Sequence, residues 1–408
     1  MSKEKPEMQD HKKLGKQLDL FVFSDKVGPG LPLWTPRGTI LRNELDNFVW
    51  KLRQKRGYVK VEIPHITKKD LYVASGHWDK FKDELFRITT REGHEFAMKP
   101  MNCPHHIEIF KRRIHSYREM PQRYADTTMC YRDEQTGELN GISRTRSFTQ
   151  DDAHVFCRQN QVKDEILKIW DIINEFYSAV GFDLRVRLSL HDPKAPEKYL
   201  GTPEMWERAE EILREVVKEK GVQAIEESGE AAFYAPKIDF VATDSLNREW
   251  QVATIQLDIN LPERFDLTCI NEKGENERIA MVHAAIMGSI ERYLSVLIEH
   301  LGGAFPLWLS PVQVKVLPIG EGHRVFAEET VGALKEAGIR VELDGSDETL
   351  GKKIRNAKTE KVPYMLVVGD KEVRDKVVTL ESRDKGNLGQ IEVSKLIEQL
   401  KGEIEERT

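Results

Sequence analysis

Arg144, Arg146, Phe148, Gln150, Asp152 and His154 occupy every second position of one short run. A strand alternates its side chains between two faces, so a strand here would put all six on one side. Just upstream, within Met129–Glu134, Arg132 and Glu134 share a face in the same way. Buried strand faces are normally apolar. This one would carry two guanidiniums, an amide, a carboxylate, an imidazole and one aromatic ring. That set suits an anionic, ring-bearing ligand better than a core. The bland alternative is a solvated hairpin face with cross-strand ion pairs.

These residues need elements to hold them. Ile40, Leu41, Leu45, Phe48, Val49 and Leu52 fall at helical spacing and predict a helix over 37–56, stopped by Gly57. A strand over 58–64 ends at Pro64. A hairpin over 84–99 turns at Arg91-Glu92-Gly93, and a helix follows near 103–116. Helices are predicted over 161–180 and 203–220, and strands over 182–190, 236–243 and 249–260. On the last two strands Lys237 shares a face with Asp239, and Thr254 with Gln256 and Asp258. A helix near 284–301 is expected to carry Gly288-Ser289-Ile290-Glu291-Arg292. The Gly- and Pro-punctuated segment 302–311 reads as a domain boundary. Beyond it strands and helices alternate (312–319, 324–337, 340–343, 349–359, 363–368, 376–381, 392–405), which predicts a smaller α/β unit with a largely parallel sheet. The preceding region reads as α+β, an antiparallel sheet flanked by helices. The expected division is an N-terminal extension over 1–20, frayed or a short helix, then a large domain over 21–305 and the smaller one over 312–408.

The chain has 408 residues, 62 Lys plus Arg and 68 Asp plus Glu, for a net charge of −6. It is no global polycation, so any nucleic-acid contact needs local basic patches. Lys111-Arg112-Arg113-Ile114-His115 is one candidate, and Lys352, Lys353, Arg355 and Lys358 form another; solvated helix faces are the ordinary reading of both. Cys103, Cys130, Cys157 and Cys269 lie far apart without a CxxC pair, which argues against a disulfide framework and suits a reducing cytosol. No apolar run reaches the roughly 18 residues of a membrane helix. The polar N-terminus resembles neither a secretory signal nor a transit peptide. The expected location is cytoplasmic.

Three segments together resemble the class II aminoacyl-tRNA synthetases, and the threonyl family in particular. The helix and strand ending at Pro64 are similar to motif 1, the dimer-forming element. Arg132-Asp133-Glu134 through Phe148 is similar to motif 2, and Gly288-Ser289-Ile290-Glu291-Arg292 to motif 3. The threonyl assignment rests on Lys99-Pro100-Met101-Asn102-Cys103-Pro104, on Phe148–His154 and on Val282-His283. In the family a cysteine and two histidines at these places bind zinc, so the resemblance implies Cys103, His154 and His283 as metal ligands. A lone cysteine is otherwise most often a small buried hydrophobe. Three protein ligands leave a position open for substrate.

The resemblance implies a threonine–tRNA ligase that joins L-threonine to ATP as threonyl-adenylate and then charges the 3′ end of tRNA(Thr). Arg132 would bridge the α-phosphate and the threonine carboxylate, since its planar fork suits oxyanions. Glu134 would accept from the adenine amine. Phe148 and Arg292 would sandwich the adenine, with Arg292 also near the γ-phosphate. Arg144 would hold the outer phosphates, while Lys237, Gln251 and Ser289 line the nucleotide pocket and Mg2+ accompanies ATP. Met101, Gln150, Asp152, Tyr234 and Gln256 would contact threonine, with zinc taking its amine and hydroxyl. A site built around a hydroxyl rejects valine by roughly 10⁴ or more, whereas a methyl is worth only about 10–200-fold against serine. His77 matches a family histidine placed to assist transfer to tRNA, and an imidazole with an ordinary pKa near 6.5 would suit that task; a purely structural role is the alternative. Its replacement by alanine is expected to slow transfer more than adenylation.

The resemblance further implies a homodimer and an anticodon-binding C-terminal unit, with Arg355 and Lys358 contacting phosphates. The chain begins almost at the catalytic domain, without the N-terminal module by which many bacterial relatives hydrolyse Ser-tRNA. Serine mischarging is therefore expected in isolation, unless a separate protein edits in trans. Ala284, Ser147, Ala235, Ala253 and Val252 depart from the family's residues and narrow the pocket slightly. Assuming one continuous helix, His283 is expected at its start, nine residues from Arg292. The competing readings are another class IIa synthetase, of prolyl or seryl type, and a non-catalytic tRNA-binding paralogue.

Overall fold

The structure is a computed structural model and describes residues 10–245 and 247–407. It divides into two units. One comprises residues 23–32 and 46–296, the other the described parts of 1–22, 33–45 and 297–408. Residues 1–9 of the expected N-terminal extension lie outside the described residues. The rest of it holds a helix, His11–Gln17, capped by the Asp10 side chain.

The larger unit is built on one eight-stranded sheet. In chain order its strands are β1 (Val59–Lys60), β2 (Gln122–Tyr131), β3 (Ser147–Cys157), β4 (Leu184–Leu190), β5 (Ala224–Ser228), β6 (Lys237–Thr243), β7 (Glu249–Asp258) and β8 (Ala280–Ser289). Their spatial order is β5-β4-β6-β7-β8-β3-β2-β1. The five inner pairings are antiparallel, and the two outermost are parallel. Its helices include residues 46–54 of α1 (Pro36–Gln54), with α2 (Cys103–Lys111) and α3 (Val162–Val180). On α3 a full stripe of Ile166, Ile169, Ile173, Phe176 and Tyr177 is buried, as the 3.6-residue period requires. Helix α4 (Pro203–Lys220) has the bounds its sequence predicts, opening on proline and closing at Gly221 with a left-handed backbone.

Several expectations need correction. The run Ala280–Met287 is strand, and helix α5 starts only at Ile290. His283 therefore sits mid-strand, opposite His154 on β3 and Gln256 on β7. The run is buried on both faces, so it lacks the alternation that marks a strand and reads equally as helix. Gly288, at φ 67°, turns the chain from strand into helix. Arg144 and Arg146 precede β3 rather than belonging to it. The ladder with β2 ends at Tyr131–Ser147, and the Arg146 N–H turns to the Gly30 carbonyl. β1 keeps only two residues of the predicted 58–64 strand. α2 stops at Lys111, where the chain folds back so that His115 Nε2 meets the Phe110 carbonyl.

In the smaller unit the strands β9 (Val314–Pro318), β10 (Val341–Leu343), β11 (Tyr364–Val368), β12 (Val377–Ser382) and β13 (Gly386–Glu392) lie in the order β10-β9-β11-β12-β13. Helices α6 (Arg324–Glu336), α7 (Leu350–Thr359) and α8 (Val393–Glu406) accompany them. Only β9–β10 and β9–β11 are parallel, so the expected largely parallel sheet is mixed. β13 was not predicted because five of its seven residues are polar or glycine. Lys353 is buried and donates to the Pro318 and Asp344 carbonyls, so it is no part of a basic surface. Lys358 pairs with Glu381, while Arg355 is exposed.

Candidate active site

Sheet register assembles the site. On β3, Phe148, Gln150, Asp152 and His154 share a face as predicted, and Thr254 and Gln256 of β7 and His283 of β8 continue it across the sheet. Over that face lies a cavity of about 150 Å³ lined by His77, Phe81, Met101, Cys103, Arg132, Gln150, Asp152, His154, Tyr234, Thr254, Gln256, His283, Ala284 and Ala285. All five residues expected to contact threonine are among them. So are Arg132, His77 and the expected metal ligands.

Cys103, His154 and His283 are buried, with one ligand atom from each lying within 4.8 Å of the others. His154 Nε2 is 3.0 Å from His283 Nδ1. The outer nitrogen of each ring is also held: His283 Nε2 is 3.0 Å from Asp258 Oδ2, and His154 Nδ1 is 2.7 Å from His106 Nδ1. A thiol and two imidazoles, each imidazole oriented from behind, are a donor set that fits zinc. Burial pushes the Cys103 thiol up and the His154 imidazolium down, so a bound cation must displace the thiol proton. Asp258 also accepts the Asn260 and Leu261 backbone N–H groups, which fixes the carboxylate behind His283. His106 was missed by sequence reasoning. Its place one helical turn after Cys103 was the available signal.

Asp152 accepts a hydrogen bond from Asn102 Nδ2 at 3.1 Å, and the Tyr234 hydroxyl donates to Gln256 Oε1 at 2.7 Å. Burial pushes the Asp152 carboxyl up, against the pull of His283, Asn102, Arg53 and Lys99. On the opposite face of β3, Asp151 pairs with the buried Arg53 and accepts the Ile286 and Met287 N–H groups. This pins β8 beside β3 where α1 approaches.

Arg132 stands at the mouth, 5.4 Å from the Phe81 ring centroid and 5.3 Å from that of Phe148. Its Nε is buried without a hydrogen-bond partner, as is Thr254 Oγ1. Buried polar groups are nearly always satisfied, so two orphans beside one cavity point to a ligand's atoms. The other expected nucleotide residues lie outside the cavity lining. Arg144 is paired with Glu134 at 2.7 Å and Glu138 at 3.3 Å. Arg292 lies 5.9 Å from the Trp250 ring centroid, whereas Phe148 carries Arg132. Lys237 and Gln251 converge on Asp239, which Ser189 also contacts. The Ser289 hydroxyl accepts the Arg292 N–H, at the turn into α5.

His77 is buried, with Nδ1 2.8 Å from Ser75 Oγ and the rings of Phe81, Phe233 and Tyr234 around it. Burial lowers its pKa to about 3, with His283, Arg132 and Arg264 adding to the effect. The ordinary value near 6.5 expected from sequence does not hold here.

Comparison with known proteins places the chain among relatives. The model of the tRNA synthetase class II core domain (G, H, P, S and T) matches residues 86–301, and that of the anticodon binding domain matches 313–403. The threonine–tRNA ligase of Porphyromonas gingivalis is 47% identical over 99% of this chain and 62% of its own length. That of Cytophaga hutchinsonii is 46% identical over 98% of this chain and 63% of its own. The chain thus spans about three-fifths of the length of these curated relatives. The RNA binding domain of threonyl-tRNA synthetase from Cryptosporidium parvum is 39% identical, with a TM-score of 0.92 over 96% of this chain and 98% of that one. Among the described residues no helix is long and apolar enough to cross a membrane.

Proposed function

Because the chain belongs to the class II tRNA synthetases, within the family of the threonine–tRNA ligases, we propose that it activates L-threonine with ATP and transfers the threonyl group to tRNA(Thr). The observation that carries this reading is the single cavity in which Arg132, Asp152, Gln150 and the Cys103/His154/His283 donor set converge. Arg132, whose Nε lacks a hydrogen bond and stands 4.0 Å from a Glu84 carboxylate oxygen, offers its guanidinium to the carboxylate and α-phosphate, which carry negative charge as the adenylate forms. Asp152, Gln150, Tyr234 and Gln256 orient the amino acid so that its carboxylate faces Arg132. Bound zinc would supply a Lewis-acid anchor for the substrate amine and hydroxyl. Adenylation joins the threonine carboxylate to the α-phosphate and releases pyrophosphate; transfer moves the acyl group to a ribose hydroxyl and releases AMP. Magnesium accompanies ATP. Binding of its triphosphate requires Arg144 to exchange its Glu134 and Glu138 partners for phosphate oxygens. A homodimer built on motif 1 and a cytosolic location belong to the same proposal.

The test is ATP–pyrophosphate exchange with threonine, serine and valine, beside metal content. About one zinc per chain is expected. Serine should support exchange within roughly 10–200-fold of threonine, and valine should fall below it by about 10⁴ or more. Valine exchange at the serine level would remove the hydroxyl-reading site.

His77 gives a pH test. With a pKa near 3 in the folded chain it is neutral from pH 5 upward, so it contributes no inflection to the transfer rate between about pH 5 and 8. The sign for stability is the same. Unfolding lets His77 take up a proton below about 6.5, so stability is lost as pH falls from there towards 3. An inflection near 6.5 in single-turnover transfer, abolished in His77→Ala, would show a titrating catalytic imidazole instead.

A further inference from the structure

Behind the amino-acid side of the cavity lies a buried polar layer that the proposed reaction does not use. On β2, Asp126, Thr128 and Cys130 stand opposite Asp152, Gln150 and Phe148 of β3, on the same face of the sheet. Lys99 and Asn102 close over this stripe, and both are completely buried. The Lys99 ammonium donates to Asn102 Oδ1 at 2.8 Å and Thr128 Oγ1 at 2.9 Å, both neutral acceptors. Asn102 in turn donates from Nδ2 to Asp152 Oδ2 at 3.1 Å, while Cys130 Sγ lies 3.5 Å from its Oδ1.

A buried ammonium is costly unless it is hydrogen-bonded and its charge is compensated nearby. Here that charge reaches Asp152 through one amide. An ammonium only donates and an ionised carboxylate only accepts, so Asn102 can face the two in a single orientation. Oδ2 of Asp152 is thereby committed. Oδ1 is left 3.7 Å from His154 Nε2, on the side of the donor cluster and the cavity.

We propose that Lys99 and Asn102 are positioning residues for amino-acid selection, a Lys99–Asn102–Asp152 chain that aims one carboxylate oxygen at the substrate's amine and hydroxyl. This rests on the synthetase reading and deepens it. Neither residue touches substrate. Both act through Asp152, so their loss should be felt in amino-acid binding and leave the nucleotide side unchanged.

The experiment measures ATP–pyrophosphate exchange on the full chain, with the wild type, Lys99→Met, Asn102→Ala and the double variant. Wild-type exchange with threonine is the control; its absence would refute the synthetase reading and leave nothing to position. In Lys99→Met the threonine KM should rise roughly 10-fold, the cost of one strong buried hydrogen bond, while the ATP KM stays within about twofold. Serine should lose as much as threonine, since both share the amine and hydroxyl. The double variant should be no worse than the worse single one, because the two residues form one chain. A purely structural role would lower thermal stability, move both KM values alike and add in the double variant. That result, or an unchanged threonine KM, would overturn the proposal. Should Lys99→Met fail to fold, Thr128→Val removes one of its two acceptors and should raise the threonine KM about threefold. A Thr128→Val enzyme with unchanged threonine KM would equally overturn it.

Discussion

Replacing Cys103 with alanine should remove bound zinc and threonine activation together. The thiol is the only group of the donor set able to become an anion, and its loss leaves two imidazoles as ligands. Zinc content should fall from about one to below about 0.1 per chain. Threonine-dependent exchange should drop roughly 10²–10³-fold, since the substrate would lose the anchor that sets its geometry towards Arg132. Chelation of the wild type should reproduce the loss, and added zinc should restore the wild type but not the variant. The cavity is otherwise held by sheet hydrogen bonds, so circular dichroism should change little. Full exchange activity in zinc-free Cys103→Ala would mean that hydroxyl and amine are read by Asp152, Gln150 and Gln256 alone.

Arg132→Ala should be as damaging for a different reason. Its guanidinium lies over the rings of Phe81 and Phe148, with Nε free of hydrogen bonds and 4.0 Å from Glu84, which is an electrostatic contact prepared before the reaction. Removing such a donor costs on the order of 10²–10³ in the chemical step. Lysine should not restore it, because a single ammonium cannot span two oxyanions as a planar fork does. Single-turnover adenylate formation at saturating threonine and ATP isolates this step. A loss confined to KM would assign Arg132 to ground-state binding.

The alternation from Phe148 to His154 could be read directly, because side chains on one strand keep one period whatever lies around them. Helices with a clean apolar stripe, such as Val162–Val180, were legible for the same reason. The run around His283 was not. A strand buried on both faces has no polar alternation, and its apolar residues fit a helix equally well. Cys103, His154 and His283 could be singled out only through family resemblance, since nothing local links them. Lys99, Asn102, His106 and Asp258 owe their roles to partners up to 50 residues away in the chain, so no window of sequence reveals them. The pairing of Arg144 with Glu134 was hidden differently. A strand pattern placed both side chains towards a ligand, whereas the loop between β2 and β3 lets them reach each other.

The donor cluster also bears on how the chain acquires its shape. Its members are 51 and 129 residues apart and meet only where β8 has docked on β3 and α2 has closed over them. Closing two such loops before any strand has paired carries a large entropy cost. A metal ion therefore cannot seed this fold as it seeds a small zinc finger. It joins late, after the slow long-range pairings that dominate the folding time of such a sheet. An interaction formed after the transition state slows unfolding and leaves the folding rate almost untouched. Zinc bound here would act as a latch on the finished domain, lengthening its lifetime without hastening its birth.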